Sequence, residues 1–410
     1  MAHRRLASLM FPAGVAGIAD RPPMGWNSWY AWGRAAGWPA TNETNTKLTA
    51  DLMVTLGLRD SGYRFLVVDD SWENTHREED GSLMANPLKF PTGMEHVSAY
   101  VRAAGLELGL YTTPGNYTCS GQQGGGEPGS FGHVQQDVEL WVGKWQIGYL
   151  KNCVCNTTEA LRTHAYSDMK AALTSMNKSV VYECDPFMDR PWATLNSVCN
   201  VYAVSDDIAD SFEAWTSQVD VSYSAGVSKS IRASSWPSYD YLQIGNGGQS
   251  LDEYRSQFAM YAILPAPLII GTDLRSISTD ALSIYRSAEV IAINQDEAAI
   301  AGIRLWQRQG SLNGSEAWVR LLKKQPDGGL SCAVLLLNRG TTAQNVTVTW
   351  TQLAVLGDPW ARMKAGIVRD IFARKDVGLV RGAVTAELVP HGSSLLKVSG
   401  IQSDVAAYVV

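Results

Sequence analysis

The sequence predicts an α/β protein: a (β/α)8 TIM barrel followed by a C-terminal antiparallel β-sandwich domain. Three observations carry this expectation. From about residue 20 to about 300, short apolar segments alternate with longer helical ones, the rhythm of a parallel sheet with right-handed crossovers. Charged residues gather where those apolar segments end, as they do on the C-terminal face of a barrel. After about residue 305 the texture changes to short strands separated by Gly, Asp and Asn turns. The expected division is a signal-peptide-like segment over 1–19, a barrel over 20–304 and a β domain over 305–410.

Taken in order, the strand candidates are Met24–Trp29, Tyr63–Asp69, Glu107–Thr112, Ile147–Lys151, Ser179–Cys184, Val201–Ser205, Tyr241–Ile244 and Pro267–Gly271. Helical patterns separate them at Thr46–Leu56, His96–Ala104, Val134–Trp145, Thr158–Ser175, Ser211–Trp215, Leu251–Ala262 and Thr279–Ser287. Eight strands in this rhythm fit a closed barrel better than an open sheet. In the second part, Glu316–Leu322, Ser331–Asn338, Gln344–Trp350, Gly366–Phe372 and Ala386–Leu388 read as strands.

Composition excludes several function classes. Charged residues are 18% of the 410 and apolar ones 45%, which suits a large core rather than disorder. The net charge of −6 without a basic block makes nucleic acid a poor partner. No apolar run is long enough to span a bilayer, so no membrane insertion is expected. A short basic stretch, Met1 to Arg5, precedes a mildly apolar one from Leu6 to Ala19, as in a signal peptide. Asn-X-Ser/Thr sequons at Asn42, Asn116, Asn156, Asn177, Asn313 and Asn345 fit an expected secreted or lysosomal/vacuolar glycoprotein. The cysteines Cys119, Cys153, Cys155, Cys184, Cys199 and Cys332 lack the spacing of a zinc site, and neither metal nor cofactor is expected. Spacing alone leaves their pairing open.

The strand ends hold the candidate chemistry. The second runs into Asp69-Asp70-Ser71-Trp72, the third ends at Tyr111, and the fourth reads Tyr149-Leu150-Lys151-Asn152-Cys153. The fifth ends Glu183-Cys184-Asp185, the sixth runs into Ser205-Asp206-Asp207, and the seventh follows Trp236 and Asp240. One such carboxylate caps a turn or a helix more often than it does chemistry. Several converging on one face, with aromatics and without a phosphate loop, suggest sugar chemistry. Glycosidases pair two carboxyl groups, one of them held protonated as the acid. Because neighbouring strand residues point to opposite faces, only one of Asp206 and Asp207 should face the pocket.

At this point the motifs resemble a known family. Pro22-Pro23-Met24-Gly25-Trp26-Asn27-Ser28-Trp29, then Asp69-Asp70-Ser71-Trp72 and Asn86-Pro87-Leu88-Lys89-Phe90-Pro91-Thr92-Gly93-Met94, resemble the α-galactosidase and α-N-acetylgalactosaminidase family, glycoside hydrolase family 27. Gly109-Leu110-Tyr111, Gly115-Asn116-Tyr117-Thr118-Cys119, Gly245-Asn246-Gly247-Gly248, Ala266-Pro267-Leu268-Ile269-Ile270-Gly271 and Ile293-Asn294-Gln295-Asp296 follow in the family's order. The resemblance implies retaining cleavage of terminal α-galactosyl residues from oligosaccharides or glycoconjugates, through a covalent glycosyl-aspartate. It implies Asp207 as acid/base, and Trp29, Asp69, Asp70, Tyr111, Lys151, Asp185 and Asp240 as sugar-binding residues. It also implies disulfides Cys119–Cys153 and Cys184–Cys199, with Cys155 and Cys332 free. A homodimer is compatible with it.

The departures from the family pattern are specific. The family's fourth strand ends Leu-Lys-Tyr/Phe-Asp-Asn/Gly-Cys, and that Asp is the nucleophile. Here Lys151 is followed by Asn152 and Cys153, which reads as a deletion of the nucleophile next to Asn152. The Arg expected before the acid/base falls at Ala203, and Trp-Asn-Asp-Pro-Asp reads Trp236-Pro237-Ser238-Tyr239-Asp240. The gap leaves three alternatives: a truncated gene or natural deletion, a catalytically impaired, lectin-like galactoside-binding relative, or a substitute nucleophile such as Asp185 or Asp69.

Overall fold

The computed structural model describes residues 19–34, 40–120, 126–155, 159–186, 192–326 and 328–403. The signal-like segment up to residue 18 and the sequon at Asn156 lie outside the described residues.

Eight parallel strands form the barrel: β1 Met24–Asn27, β2 Phe65–Val68, β3 Glu107–Thr112, β4 Tyr149–Cys153, β5 Val181–Asp185, β6 Val201–Ala203, β7 Trp236–Ser238 and β8 Leu268–Ile270. They pair in the order β7-β6-β5-β4-β3-β2-β1-β8. The seventh strand differs from the expected Tyr241–Ile244. It is split: Trp236–Ser238 pairs with β6, and Leu242 bridges Ile270 of β8 to close the ring. The break is Asp240, whose φ of 74° no strand residue can hold.

The outer layer holds α1 Glu43–Thr55, α2 Met94–Ala103, α3 Val134–Val138 (continued by a π-helical stretch, Glu139–Lys144), α4 Glu159–Ser175, α5 Trp192–Val198, α6 Phe212–Ser224, α7 Leu251–Ile263, α8 Thr279–Tyr285 and α9 Ala288–Asn294. Local chemistry starts several of them. The side chains of Asn42 and Ser211 accept from backbone N–H groups in the first turns of α1 and α6, and Ser250 with Glu253 forms a reciprocal cap on α7. The helices α5 and α9 have sequences too short for periodicity to register.

Alternation along the strands sorts the barrel's contents. Phe65, Val67, Tyr149, Val181 and Val201 fill the lower interior. Tyr182, Cys184 and Tyr202 point outward to the helices. A Cβ on Gly109 would stand 2.8 Å from both Val67 and Tyr149, so only glycine lets these rings and branches meet. Above this apolar layer the interior becomes polar.

The C-terminal strands are β9 Ile303–Arg308, β10 Ser315–Leu321, β11 Ser331–Asn338, β12 Gln344–Thr349, β13 Met363–Asp370, β14 Lys375–Arg381, β15 Ala383–Leu388 and β16 Ser393–Ser403. Six form one antiparallel sheet, and β12 and β15 form a second pair across a shared apolar core. Every residue of β11 is buried. Cys332, Val334 and Leu336 face the sandwich core, while Ala333, Leu335 and Leu337 join the barrel's helical layer. The strand therefore reads as a continuous apolar run because both of its faces are covered.

Candidate active site

Trp29, Asp69, Asp70, Tyr111, Cys119, Lys151, Cys153, Asp185 and Asp207 line one pocket at the C-terminal ends of the barrel strands. Of the eight residues expected there, seven are brought together. Asp240 is not in the lining: it stands behind Asp207, where its carboxylate accepts from the backbone N–H of Ile208 at 2.7 Å and from the hydroxyl of Tyr30. Burial, then the charge of Asp207, pushes Asp240 up to about 8. Asp206 is exposed to solvent, so of the two neighbours only Asp207 reaches the pocket.

At the floor, Lys151 Nζ sits 3.1 Å from Asp69 Oδ2, and both side chains are buried. The ammonium also lies 5.8 Å from the ring centre of Trp29, 5.7 Å from Tyr111 and 5.1 Å from Tyr241. Burial opposes its charge, but Asp69 and Asp185 outweigh burial and hold the ammonium well above its ordinary range. Asn27 Nδ2 donates to the same Asp69 oxygen at 2.8 Å. Asp70 accepts from the backbone N–H of Ser120 at 2.8 Å. Burial still raises its carboxyl to about 6, with Asp69 adding to the rise. Trp29 Nε1 donates to Asp207 Oδ2 at 2.9 Å.

Sequence reasoning placed Glu183 at the end of the fifth strand but gave it no role in the site. It lies one layer below Asp185, on the same face of β5. Its carboxylate accepts from the Tyr149 hydroxyl at 2.6 Å and lies 3.3 Å from that of Tyr241. Burial pushes it up to about 7, against the pull of Lys151. The two-residue period from Asp185 could have flagged it.

The disulfide expectation needs one correction. Cys184–Cys199 forms, but Cys119 pairs with Cys155, and Cys153 is the free thiol together with Cys332. The reason is strand geometry. Cys153 follows Lys151 by two residues and shares its inward face. Cys155 lies past the strand, held by its backbone N–H and C=O on the Thr113 hydroxyl at 3.2 and 3.0 Å, with its Cα 5.2 Å from that of Cys119. Cys153 Sγ remains 3.7 Å from Cys119 Sγ. This pairing also corrects the expected deletion. With Cys155 as the bridging cysteine, Lys151-Asn152-Cys153-Val154-Cys155 has the full length of Lys-Tyr/Phe-Asp-Asn/Gly-Cys, and no residue is missing.

A barrel whose strand ends converge carboxylates, a lysine and aromatics on one small pocket belongs to the glycoside hydrolase class of sites. The sequence profile described as alpha galactosidase A matches residues 21–296, and that of the alpha galactosidase C-terminal beta sandwich domain matches 313–398. Alpha-galactosidase 2 of Arabidopsis thaliana is 33% identical over 385 residues, covering 92% of this chain and 89% of its own. Alpha-galactosidase A of Homo sapiens is 34% identical over 349 residues, covering 79% and 75%. The crystal structure of alpha-galactosidase I from Mortierella vinacea superposes with a TM-score of 0.84 at 28% identity, over 94% of this chain and 98% of that one. The chain belongs to the α-galactosidase family of glycoside hydrolases, glycoside hydrolase family 27.

Proposed function

We propose that the pocket takes the terminal α-galactosyl group of an oligosaccharide or glycoconjugate, and that Asp207 serves as acid/base in cleaving its glycosidic bond. One observation supports this reading: side chains from six separate strand ends line one pocket, and its polar groups are of the kinds that bond sugar hydroxyls. Asp69 and Asp70 accept from hydroxyls, Lys151 donates, and Trp29 presents a flat face. Asp185, an acceptor, favours a hydroxyl over an acetamido group at the neighbouring carbon. Asp207 gives its proton to the leaving-group oxygen in this reading, and the hydrogen bond from the Trp29 indole supports its orientation in the pocket. A retaining reaction needs a second carboxylate on the opposite side of the anomeric carbon.

Cys153 favours a second reading, a galactoside-binding protein with little turnover. Burial, and then the negative charge of Asp185, keep its thiol protonated, and a neutral thiol is a poor nucleophile. Calorimetry with galactose and hydrolysis of p-nitrophenyl α-galactoside separate the two. Binding with release of p-nitrophenol above that of Asp207→Ala supports the enzyme. Binding with release equal to that of Asp207→Ala supports the lectin-like reading. Failure to bind either galactose or N-acetylgalactosamine overturns both. Passage through a secretory or lysosomal/vacuolar route belongs to the same proposal, and N-terminal sequencing of the protein recovered from its native source tests it. No helix among the described residues is long and apolar enough to cross a membrane.

A further inference from the structure

We infer that Cys153 occupies the place of the covalent nucleophile, so that a sulfur-for-carboxylate exchange at this position supplies the second carboxylate that a retaining reaction needs. The inference rests on the galactoside reading of the pocket, on the spacing of the family motif and on two geometric facts. First, the Cys119–Cys155 bridge anchors the register: counting back two residues from the bridging cysteine, as in the motif, reaches Cys153. Second, β4 pairs in parallel with β5 so that Cys153 lies beside Asp185, one step above the Lys151–Glu183 pair. That height puts Cys153 level with the sugar-reading carboxylate and above the ion-paired floor. Third, Cys153 and Asp207 line the same pocket from β4 and the end of β6, two strands apart around the ring. Two groups so placed can flank a sugar held between them.

The consequence is chemical. With a carboxylate at 153, its oxygen attacks the anomeric carbon while the glycosidic C–O bond breaks, and the proton of Asp207 goes to the departing oxygen. Water then gives its proton back to Asp207, attacks the same carbon and frees the carboxylate. The thiol of the native chain, protonated and uncharged, is a poor nucleophile for the first attack. Asp207, the acid/base of both steps, is already in the pocket.

Two variants test the assignment. Cys153→Asp should raise turnover of p-nitrophenyl α-galactoside over the native chain by at least about a hundredfold, the scale on which covalent nucleophiles act. Cys153→Ala should show no such rise. Cys153→Gly opens the same spot to an external nucleophile. With azide it should form β-galactosyl azide, detected by NMR, because azide entering from the position of residue 153 displaces the α-linked p-nitrophenolate with inversion. A gain in either experiment supports the inference. If the native chain binds galactose and neither the turnover gain nor the β-azide is found, the inference falls while the galactoside reading stands. If galactose does not bind the native chain, the reading itself has failed.

Discussion

Trp29 and Asp207 stand 178 residues apart in the chain, and the indole Nε1 of the first donates to Oδ2 of the second at 2.9 Å. The bond joins the end of β1 to the loop after β6 across the mouth of the barrel. Both residues line the same pocket.

Replacing the donor and keeping a flat ring tests that relationship. Trp29→Phe should lower kcat/KM for p-nitrophenyl α-galactoside about tenfold, the scale of one lost hydrogen bond to a charged group. The measurement is steady-state kinetics in the Cys153→Asp background. Unchanged kinetics would mean that the indole does not orient Asp207.

The buried Lys151–Asp69 pair predicts strong coupling. Lys151→Met strands a buried carboxylate and should cost about 3–5 kcal/mol of stability. Adding Asp69→Asn should return most of that loss, because the uncompensated charge is gone. Urea unfolding of the two single variants and the double gives the coupling energy directly. Galactose binding should be lost in all three.

Glu183 predicts a pH dependence of stability. Its carboxyl is raised from 4.5 to about 7 in the folded chain. Between those values the folded state keeps a proton that the unfolded state has released, so stability falls as pH rises through this window. Glu183→Gln should flatten the decline of Tm between about pH 4.5 and 7. A thermal scan series in which the variant and native slopes coincide would argue against this origin.

The free thiol makes a mapping prediction. Peptide mapping without reduction should recover Cys119–Cys155 and Cys184–Cys199, with Cys153 and Cys332 as thiols. In Cys155→Ala, Cys153 should take over Cys119, since their sulfurs already lie 3.7 Å apart. That new bridge draws the Cys153 sulfur toward the loop after β3, and galactose affinity should change with it.

Arg320 ties the β domain to the barrel. Buried on β10, its guanidinium donates to the carbonyls of Ala262, Ile293 and Asn294 at 2.5, 2.7 and 3.3 Å, at the C-terminal ends of α7 and α9. Arg320→Leu removes donors from three buried carbonyls and should cost about 2–4 kcal/mol in urea unfolding. Galactose affinity of the folded variant should be unchanged, because Arg320 lies outside the pocket lining.

Local patterns determined much of this protein without any structure. The alternation of apolar runs is a property of neighbouring residues, and it located the β2, β3, β4 and β5 strands within about two residues. Strand ends must meet on one face of a barrel, so Asp69, Asp70, Tyr111, Lys151, Asp185 and Asp207 could be grouped from their positions, and the family resemblance added Trp29. Three matters were decided only by the tertiary structure, and each depends on where distant backbone segments come to rest. Asp240 turns backward at a positive φ, which splits the seventh strand and places its carboxyl behind Asp207. Glu183 is charged or neutral according to how deeply the closed barrel buries it between Tyr149 and Tyr241. Cys153 and Cys155 are equally plausible partners for Cys119 along the chain. The inward pleat of β4 and the Thr113 contacts that hold Cys155 select one of them for the bridge and leave the other in the pocket.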